Sequence, residues 1–489
     1  MTNLLEYLEL SARQFPDKTA FADENESVSY ARLMDVGRGV GAFLIEHAGG
    51  ANRPVAVLTN HCVADVAAFI GALYAGCFYI PLDGAAPQAH TAARLDALDP
   101  VYVFKAKAID ELPVAKPDIE ALDAVRRGTL STDPAYAIFT SGSTGAAKAA
   151  MVSHGAVINL AEWLCGEFGF SQHTVFAGQA PFFFDASVKE LYSTLKCGGT
   201  THLFAKKRFI SPLKVLQMVA ELGVNVMPWA AAAVKMVANA GTLDKYVPQG
   251  VTDVLFGGEN MPARIINIWR KAMPETRFTN VYGPTEATVD SAYYTVGRDL
   301  TDEESVPIGR SGASVRDVGL LLLDDEMKPV PPGQPGEIYV RGAGVGLGYY
   351  CDDERTAASF IQNPHSLYRD IIYKTGDIAR VNEHDEIVFL ARADDQVKHM
   401  GSRVELGEVE TAAAAIGGVS LACCAYDKEE SKILMFYEGT IDENELTAGL
   451  VARLPKYMRP NVLIKVPEMP CTPNGKIDRL EVRRAYYSK

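Results

Sequence analysis

Short β-branched runs alternate along the chain with alanine- and leucine-rich amphipathic stretches. "RPVAVLTN", "TVFAGQA" and "VTDVLFGGEN" read as strands, while "PARIINIWRKAM" reads as a helix. This alternation predicts βαβ units and mostly parallel sheets. The first segment, "MTNLLEYLELSARQFPDK", sets Glu6 and Glu9 among its leucines and so predicts an amphipathic helix, not a secretory leader. The longest uncharged run, Val66 to Leu82, is broken by Gly71, Gly76 and Pro81. It predicts a buried helix leading into a strand and no membrane span.

Between Gly309 and Tyr350 the rhythm changes. "VGLLLLDDEMKPVPPGQPGEIYVRG" has hairpin-like strands separated by Pro and Gly, which predicts a smaller β-rich subdomain. After "EIVFLARADDQVKHMGSRVELGEVE" a helix and two new strands, "SLACCAYD" and "KILMFYEG", suffice for a compact C-terminal domain. The expected fold is α/β. A large N-terminal domain over residues 1–393 has two parallel-type βα sheets plus a small β-barrel-like subdomain, and a small mobile α+β domain follows over 394–489.

Composition narrows the function classes. Hydrophobic residues at 48% and charged residues at 22% of 489 positions describe a folded, multi-domain chain. Sixty-one acidic against 47 basic residues give a net charge of -14, which repels a polyanion and argues against nucleic acid as a partner. Eight cysteines without a CxxC, two of them adjacent at Cys423 and Cys424, offer no spaced metal framework. Free thiols in a reducing cytoplasm are expected.

The chemistry concentrates first in "YAIFTSGSTGAAKAAMVSHGAV". A Walker A loop needs Gly-Lys-Ser/Thr at its end, and here Lys148 stands between Ala147 and Ala149. What remains is a Gly-rich turn with the hydroxyls of Ser141, Ser143 and Thr144 and one cation. That set suits a mobile polyphosphate; the bland alternative is a solvated Ser/Gly linker.

Seven further segments follow in order: "FFFDASVKELYSTLKCGG", "NVYGPTEATV", "GEIYVRGAGVGLGYY", "YKTGDIAR", "ARADDQVKHMGSRVELGEVE", "LPKYMRP" and "TPNGKIDR". With the Gly-rich loop they resemble, over essentially the whole chain, the adenylate-forming (ANL) superfamily. Within it the match is to free-standing amino-acid adenylation domains of the nonribosomal peptide synthetase type. The resemblance implies ATP and Mg2+. Thr140, Ser141, Gly142, Ser143, Thr144, Gly145 and Lys148 would hold the β- and γ-phosphates. Gly258, Glu259 and Gly283 would bind the nucleotide, with Asn280 reading the amino edge of the adenine and Tyr282 stacking on its ring. Thr285 would touch the α-phosphate, Glu286 would hold Mg2+, Asp377 would accept both ribose hydroxyls, and Arg392 would contact the nucleotide. Lys476 resembles the catalytic lysine that reaches the substrate carboxylate, and Asp394 the hinge about which the small domain rotates. Each has a plain alternative: Tyr282 a packed aromatic, Glu286 a helix-dipole carboxylate, Asp377 and Lys476 turn residues. His154 stays outside the catalytic set. The chain departs from the family pattern at Ala147, Ala149, Ala391 and the pair Ala231-Ala232.

The same resemblance places the amino-acid pocket at Asp185, Ala186, Lys189, Ala232, Leu255, Gly257, Val281, Val289 and Asp290. Asp185 would bind the α-ammonium, unless it merely caps the following helix. Lys189 puts a cation in a pocket of small and aliphatic residues, which favours an acidic amino acid, glutamate first. If Asp290 neutralises that lysine, glutamine and neutral polar side chains are the fallback. No condensation-type His-His-x-x-x-Asp occurs, and no carrier-type Gly-Gly-x-Ser follows Lys476. The expected acceptor is therefore the phosphopantetheine thiol of a separate peptidyl or aminoacyl carrier protein. A coenzyme A ligase for another carboxylic acid and a catalytically silent scaffold are the alternatives from other classes.

Overall fold

In a computed structural model, the structure describes residues 1–48, 51–140, 147–312, 315–393, 396–399, 402–427, 430–470 and 481–482. The strands Thr200–Leu203, Val175–Gly178, Val226–Ala230, Asp253–Gly257 and Arg277–Tyr282 lie side by side and parallel. Ala292–Thr295 closes one edge antiparallel, while Thr19–Ala22 and Ser27–Ser29 extend the other into an eight-stranded sheet. A second sheet pairs Tyr102–Phe104, Pro54–Thr59, Phe78–Asp83 and Pro134–Thr140 in parallel, then continues through Lys148–Ser153 to Gly348–Tyr349. These are the parallel βα sheets that the alternating pattern dictates.

Burial explains the apolar segments. Every residue of helix Val63–Tyr74 is buried, and it opens with a reciprocal cap between Cys62 and Asp65. It feeds the strand Phe78–Asp83, so the uncharged run of Val66 to Leu82 is core. No helix among the described residues is long and apolar enough to cross a membrane. The β-rich subdomain is a six-stranded antiparallel sheet centred on Gly336–Gly342 and Ile371–Val381. Its pairing, among the described residues, runs from Gly309–Arg310 to Val318–Leu323 without closing into a barrel.

Two compact units are present. Met1–Gly84, Asp99–Ile138 and Ala149–Ala393 form the first; Ala85–Leu98, Phe139–Lys148 and Asp394–Lys489 form the second. The sequence pattern assigned 85–98 and 139–148 to the N-terminal domain instead. In the second unit, helix Leu406–Ala414 packs on the antiparallel strands Val419–Asp427 and Lys432–Gly439, with Val462–Lys465 parallel beside them. Arg94 also pairs with Glu408 there, at 3.4 Å.

Candidate active site

Parallel strands deliver their carboxyl ends, and the loops that follow, to one edge of a sheet. Across three of them, Pro228, Leu255 and Thr279 align in one row, and Ala230, Gly257 and Val281 in the next row on the same face. A Cβ on Gly257 would stand 2.3 Å from the Val281 carbonyl oxygen, so this wall admits no larger residue. Ala232 does not belong to it. The residue lies in helix Ala231–Asn239, which follows the strand.

Helix Val188–Cys197 meets this wall. Lys189, Glu190, Ser193, Pro228 and Leu255 border a small cavity of about 10 Å³. Lys189 is buried, and its Nζ lies 3.5 Å from Asp290 Oδ1. The cation expected to await a substrate anion therefore already has a partner. Asp290 is buried too, and its Oδ2 has no hydrogen-bond partner. Burial pushes its carboxyl up to about 6 against the pull of Lys189, with the charge of Asp185 adding to the rise. Next along the helix, Glu190 is 2% exposed with neither oxygen partnered, and the Ser193 hydroxyl is likewise unpartnered. Burial drives the Glu190 carboxyl up to about 8, so it carries its proton at neutral pH.

Asp185 opens the short turn Asp185–Ser187 before that helix. The N-cap of that helix is Ser187, whose side chain makes no capping bond, while Asp185 Oδ2 accepts the Thr285 hydroxyl at 2.7 Å. Ala186 beside it is half-buried. The partner Thr285 sits on the loop that leaves strand Arg277–Tyr282, and this loop is tightly determined. A Cβ on Gly283 would meet the Val289 carbonyl oxygen at 2.3 Å, and Ser291 N–H donates to the Tyr282 carbonyl at 2.6 Å. Thr288 and Val289 both adopt left-handed backbone, with φ of 59° and 70°. For a β-branched residue that conformation is strained and persists only where its surroundings enforce it. The Thr288 hydroxyl, donating to the Gly344 carbonyl at 2.6 Å, is one of those restraints.

Along the same strand and loop stand the residues expected at the nucleotide. The Asn280 side-chain nitrogen donates to the Pro307 carbonyl at 2.8 Å, which leaves its oxygen as the acceptor for a donor such as an amino group. Tyr282 donates its hydroxyl to Asp377 Oδ2 at 2.6 Å, and Arg392 donates to Oδ1 at 2.5 Å. Burial, with Asp377 reinforcing it, holds the Tyr282 phenol far above its ordinary range. Each oxygen of Asp377 thus has a protein donor, so ribose hydroxyls would share it with Tyr282 and Arg392. Glu286 is fully buried, and Tyr349 donates its hydroxyl to Oε1 at 3.0 Å. Gly258 takes φ of 90°, and Glu259 pairs with Lys235 at 2.9 Å.

A family model described as AMP-binding enzyme matches residues 8–350. The chain belongs to the AMP-binding enzyme family. Over 97% of its length it is 31% identical to the dimodular nonribosomal peptide synthase of Bacillus subtilis (strain 168), spanning 21% of that protein. It is 30% identical over 95% of its length to zwittermicin A synthase ZmaJ of Bacillus cereus, spanning 91% of it. Among solved structures, holo-PA1221, an NRPS protein containing adenylation and PCP domains bound to a vinylsulfonamide inhibitor, superposes with a TM-score of 0.82 at 25% identity. That match covers 99% of this chain and 84% of the other.

Thr140 and Lys148 belong to the second unit, where the Thr140 hydroxyl donates to the Lys148 carbonyl at 3.5 Å. Ser141, Gly142, Ser143, Thr144, Gly145, Asp394 and Lys476 lie outside the described residues. His154 is buried and its Nδ1 accepts the Leu4 N–H at 3.3 Å, a packing role. The donor set bears on magnesium. That ion takes one or two carboxylates and completes its shell with phosphate and water oxygens. Glu286 supplies one such carboxylate, and among the described residues no cluster of three metal-ligating side chains exists. One buried carboxylate fits an ion that arrives with a phosphate substrate.

Proposed function

We propose that this chain activates an amino acid with ATP as the aminoacyl-AMP, releases pyrophosphate, and passes the acyl group to the phosphopantetheine thiol of a separate carrier protein in the cytoplasm. The observation that carries this reading is the hydrogen bond from Thr285 to Asp185. It ties a carboxylate suited to an α-ammonium to the hydroxyl proposed for the α-phosphate, so the two reactants would meet at one point. The substrate carboxylate attacks the α-phosphorus and the bond to pyrophosphate breaks. Proteins assist this chemistry mainly by positioning and by neutralising charge. Asn280 and Tyr282 hold the base, Asp377 and Arg392 the ribose, and Thr140 to Gly145 with Lys148 the outer phosphates. Glu286 is the residue that would hold Mg2+, which when bound offsets phosphate charge. Lys476 supplies the second cation at the reacting carboxylate, and Asp394 is the pivot of the small domain.

For the amino acid, we infer glutamate, its side-chain carboxylate on Lys189 while Asp290 takes up a proton. The Lys189–Asp290 pair also favours a second reading, glutamine, whose amide can accept from the lysine and donate to Asp290. A coenzyme A ligase for an acid without an amine would give Asp185 no cation to meet. The test is amino-acid-dependent exchange of pyrophosphate into ATP over a panel of amino acids. A preference for a large apolar amino acid would refute the pocket assignment, and exchange with none would refute the activity.

A further inference from the structure

The helix that carries Lys189 turns two further polar groups into the protein. Glu190 and Ser193 stand three residues apart on helix Val188–Cys197, the spacing that sets two side chains on one face. They are 2% and 1% exposed, and neither Glu190 oxygen nor the Ser193 hydroxyl has a hydrogen-bond partner among the described residues. Both border the cavity of about 10 Å³ that Lys189 and Leu255 also line. A space of that size admits about one non-hydrogen atom. Leu164, Phe170, Phe176 and Val226 around it bring apolar side chains, so its polar lining is Lys189, Glu190 and Ser193.

An ionised carboxylate without a partner is far costlier to bury than a neutral carboxyl, so Glu190 keeps its proton and presents an O–H. The lining then offers a carboxyl O–H, an alcohol O–H and an ammonium N–H to one atom-sized space. Buried polar groups left unpaired cost stability. The atom that matches three donors is an acceptor, and an oxygen has the size and lone pairs for it.

We propose that Glu190 and Ser193 are specificity-determining residues, donating their O–H groups beside the Lys189 ammonium to an oxygen at the end of the substrate's side chain. The assignment rests on the reading of the site as one that activates an amino acid. The oxygen belongs to a carboxylate, as in glutamate, or to a primary amide, as in glutamine. A side chain without it leaves three buried donors unpaired. A site built to hydrogen-bond its substrate rejects such an analogue far more strongly than an apolar pocket rejects one extra methylene.

The test compares glutamate, glutamine and homoleucine, whose branched methyls reproduce the outline of the glutamate side chain without its oxygens. In amino-acid-dependent pyrophosphate exchange the full chain should prefer glutamate or glutamine over homoleucine by at least about 100-fold in kcat/KM. Which of the two leads tells carboxylate from amide. Ser193→Ala should narrow that ratio about tenfold. Glu190→Met, similar in length but unable to donate, should narrow it at least as much, yet melt no lower than the wild type because an unpartnered buried carboxyl is gone. Glu190→Gln, whose amide donates from the same position, should recover most of the ratio. Thermal melts without ATP read binding apart from activity: glutamate or glutamine should stabilise the wild type more than homoleucine does, and Ser193→Ala and Glu190→Met should lose that difference. This pattern in the melts with no exchange for any amino acid would sink the activation reading and support the assignment. No preference for glutamate or glutamine in either assay, or a preference unchanged in both variants, would overturn the assignment.

Discussion

Asp290 is the residue on which the two substrate readings part. If glutamate is the substrate, its carboxylate and that of Asp290 compete for the ammonium of Lys189, and Asp290 must take up a proton to yield. Burial pushes its carboxyl up to about 6. At about pH 7.5 that protonation lies roughly 1.5 pH units uphill, or about 2 kcal/mol, equivalent to about 30-fold in affinity. Asp290→Asn removes the requirement. In pyrophosphate exchange the variant should bind glutamate about tenfold or more tightly at that pH, and lose affinity for glutamine through loss of an anionic acceptor. The sign of the pH dependence follows from the same step. Binding takes up a proton, so wild-type KM for glutamate falls as pH drops towards 6, whereas the variant's stays flat. Stability moves the other way in the empty protein, because Lys189 is left without its partner; a loss on the order of 3 kcal/mol, partly recovered by glutamate, is expected in thermal melts. A glutamate KM that is independent of pH in the wild type and unimproved in the variant would refute the proton-exchange argument.

Three further outcomes test the site. Asp185→Asn should lose most amino-acid-dependent exchange while melting close to wild type, since the N-cap of the following helix is Ser187; a loss of about 1 kcal/mol in stability with normal exchange would favour the capping reading. Glu190→Gln should flatten the pH dependence of stability. The folded carboxyl at about 8 lies above its ordinary 4.5, so its contribution is complete below that lower value and is lost as pH rises through the higher one. Urea melts between about pH 5 and pH 9 should show the wild type losing about 4 kcal/mol more than the variant, and equal losses would count against burial as the cause. Gly283→Ala places a Cβ against three backbone atoms of the 289–291 segment; a destabilisation of about 1–3 kcal/mol and a raised KM for the amino acid are expected, and a silent substitution would show that the loop yields.

Much of this site was legible because its residues lie in short motifs of distinctive chemistry. Asp185 after Phe182, Phe183 and Phe184, and Lys189 one helical turn later, are conspicuous in a single sequence. What was not legible depends on pairings between distant segments. Four consecutive alanines, Ala230 to Ala233, give no mark where the strand ends and the helix begins, and only the register with Leu255 and Gly257 fixes it. The bond between Tyr282 and Asp377 joins positions 95 residues apart. Glu190 was hidden for a different reason. On a surface helix a polar face reads as solvated, but helix Val188–Cys197 buries Glu190, Ser193 and Thr194 as completely as Val188 and Leu195. A sequence shows which faces are polar, not whether water reaches them.

The loop from Tyr282 to Ser291 joins both halves of the proposed reaction. Its first residue holds Asp377, its fourth holds Asp185, its fifth is the buried Glu286, and its ninth is Asp290 on Lys189. A shift at one end must be felt at the other, because the intervening turn is fixed at Gly283, at the left-handed Thr288 and Val289, and by the bond from Ser291 to Tyr282. Two left-handed non-glycine residues store strain of about 1–3 kcal/mol each. That energy sits where relaxing it would move Asp290 away from Lys189 and Thr285 away from Asp185 together. The loop is therefore held ready by the surrounding fold before any reactant arrives, and selection of the side chain and placement of the carboxylate rest on the same few backbone atoms.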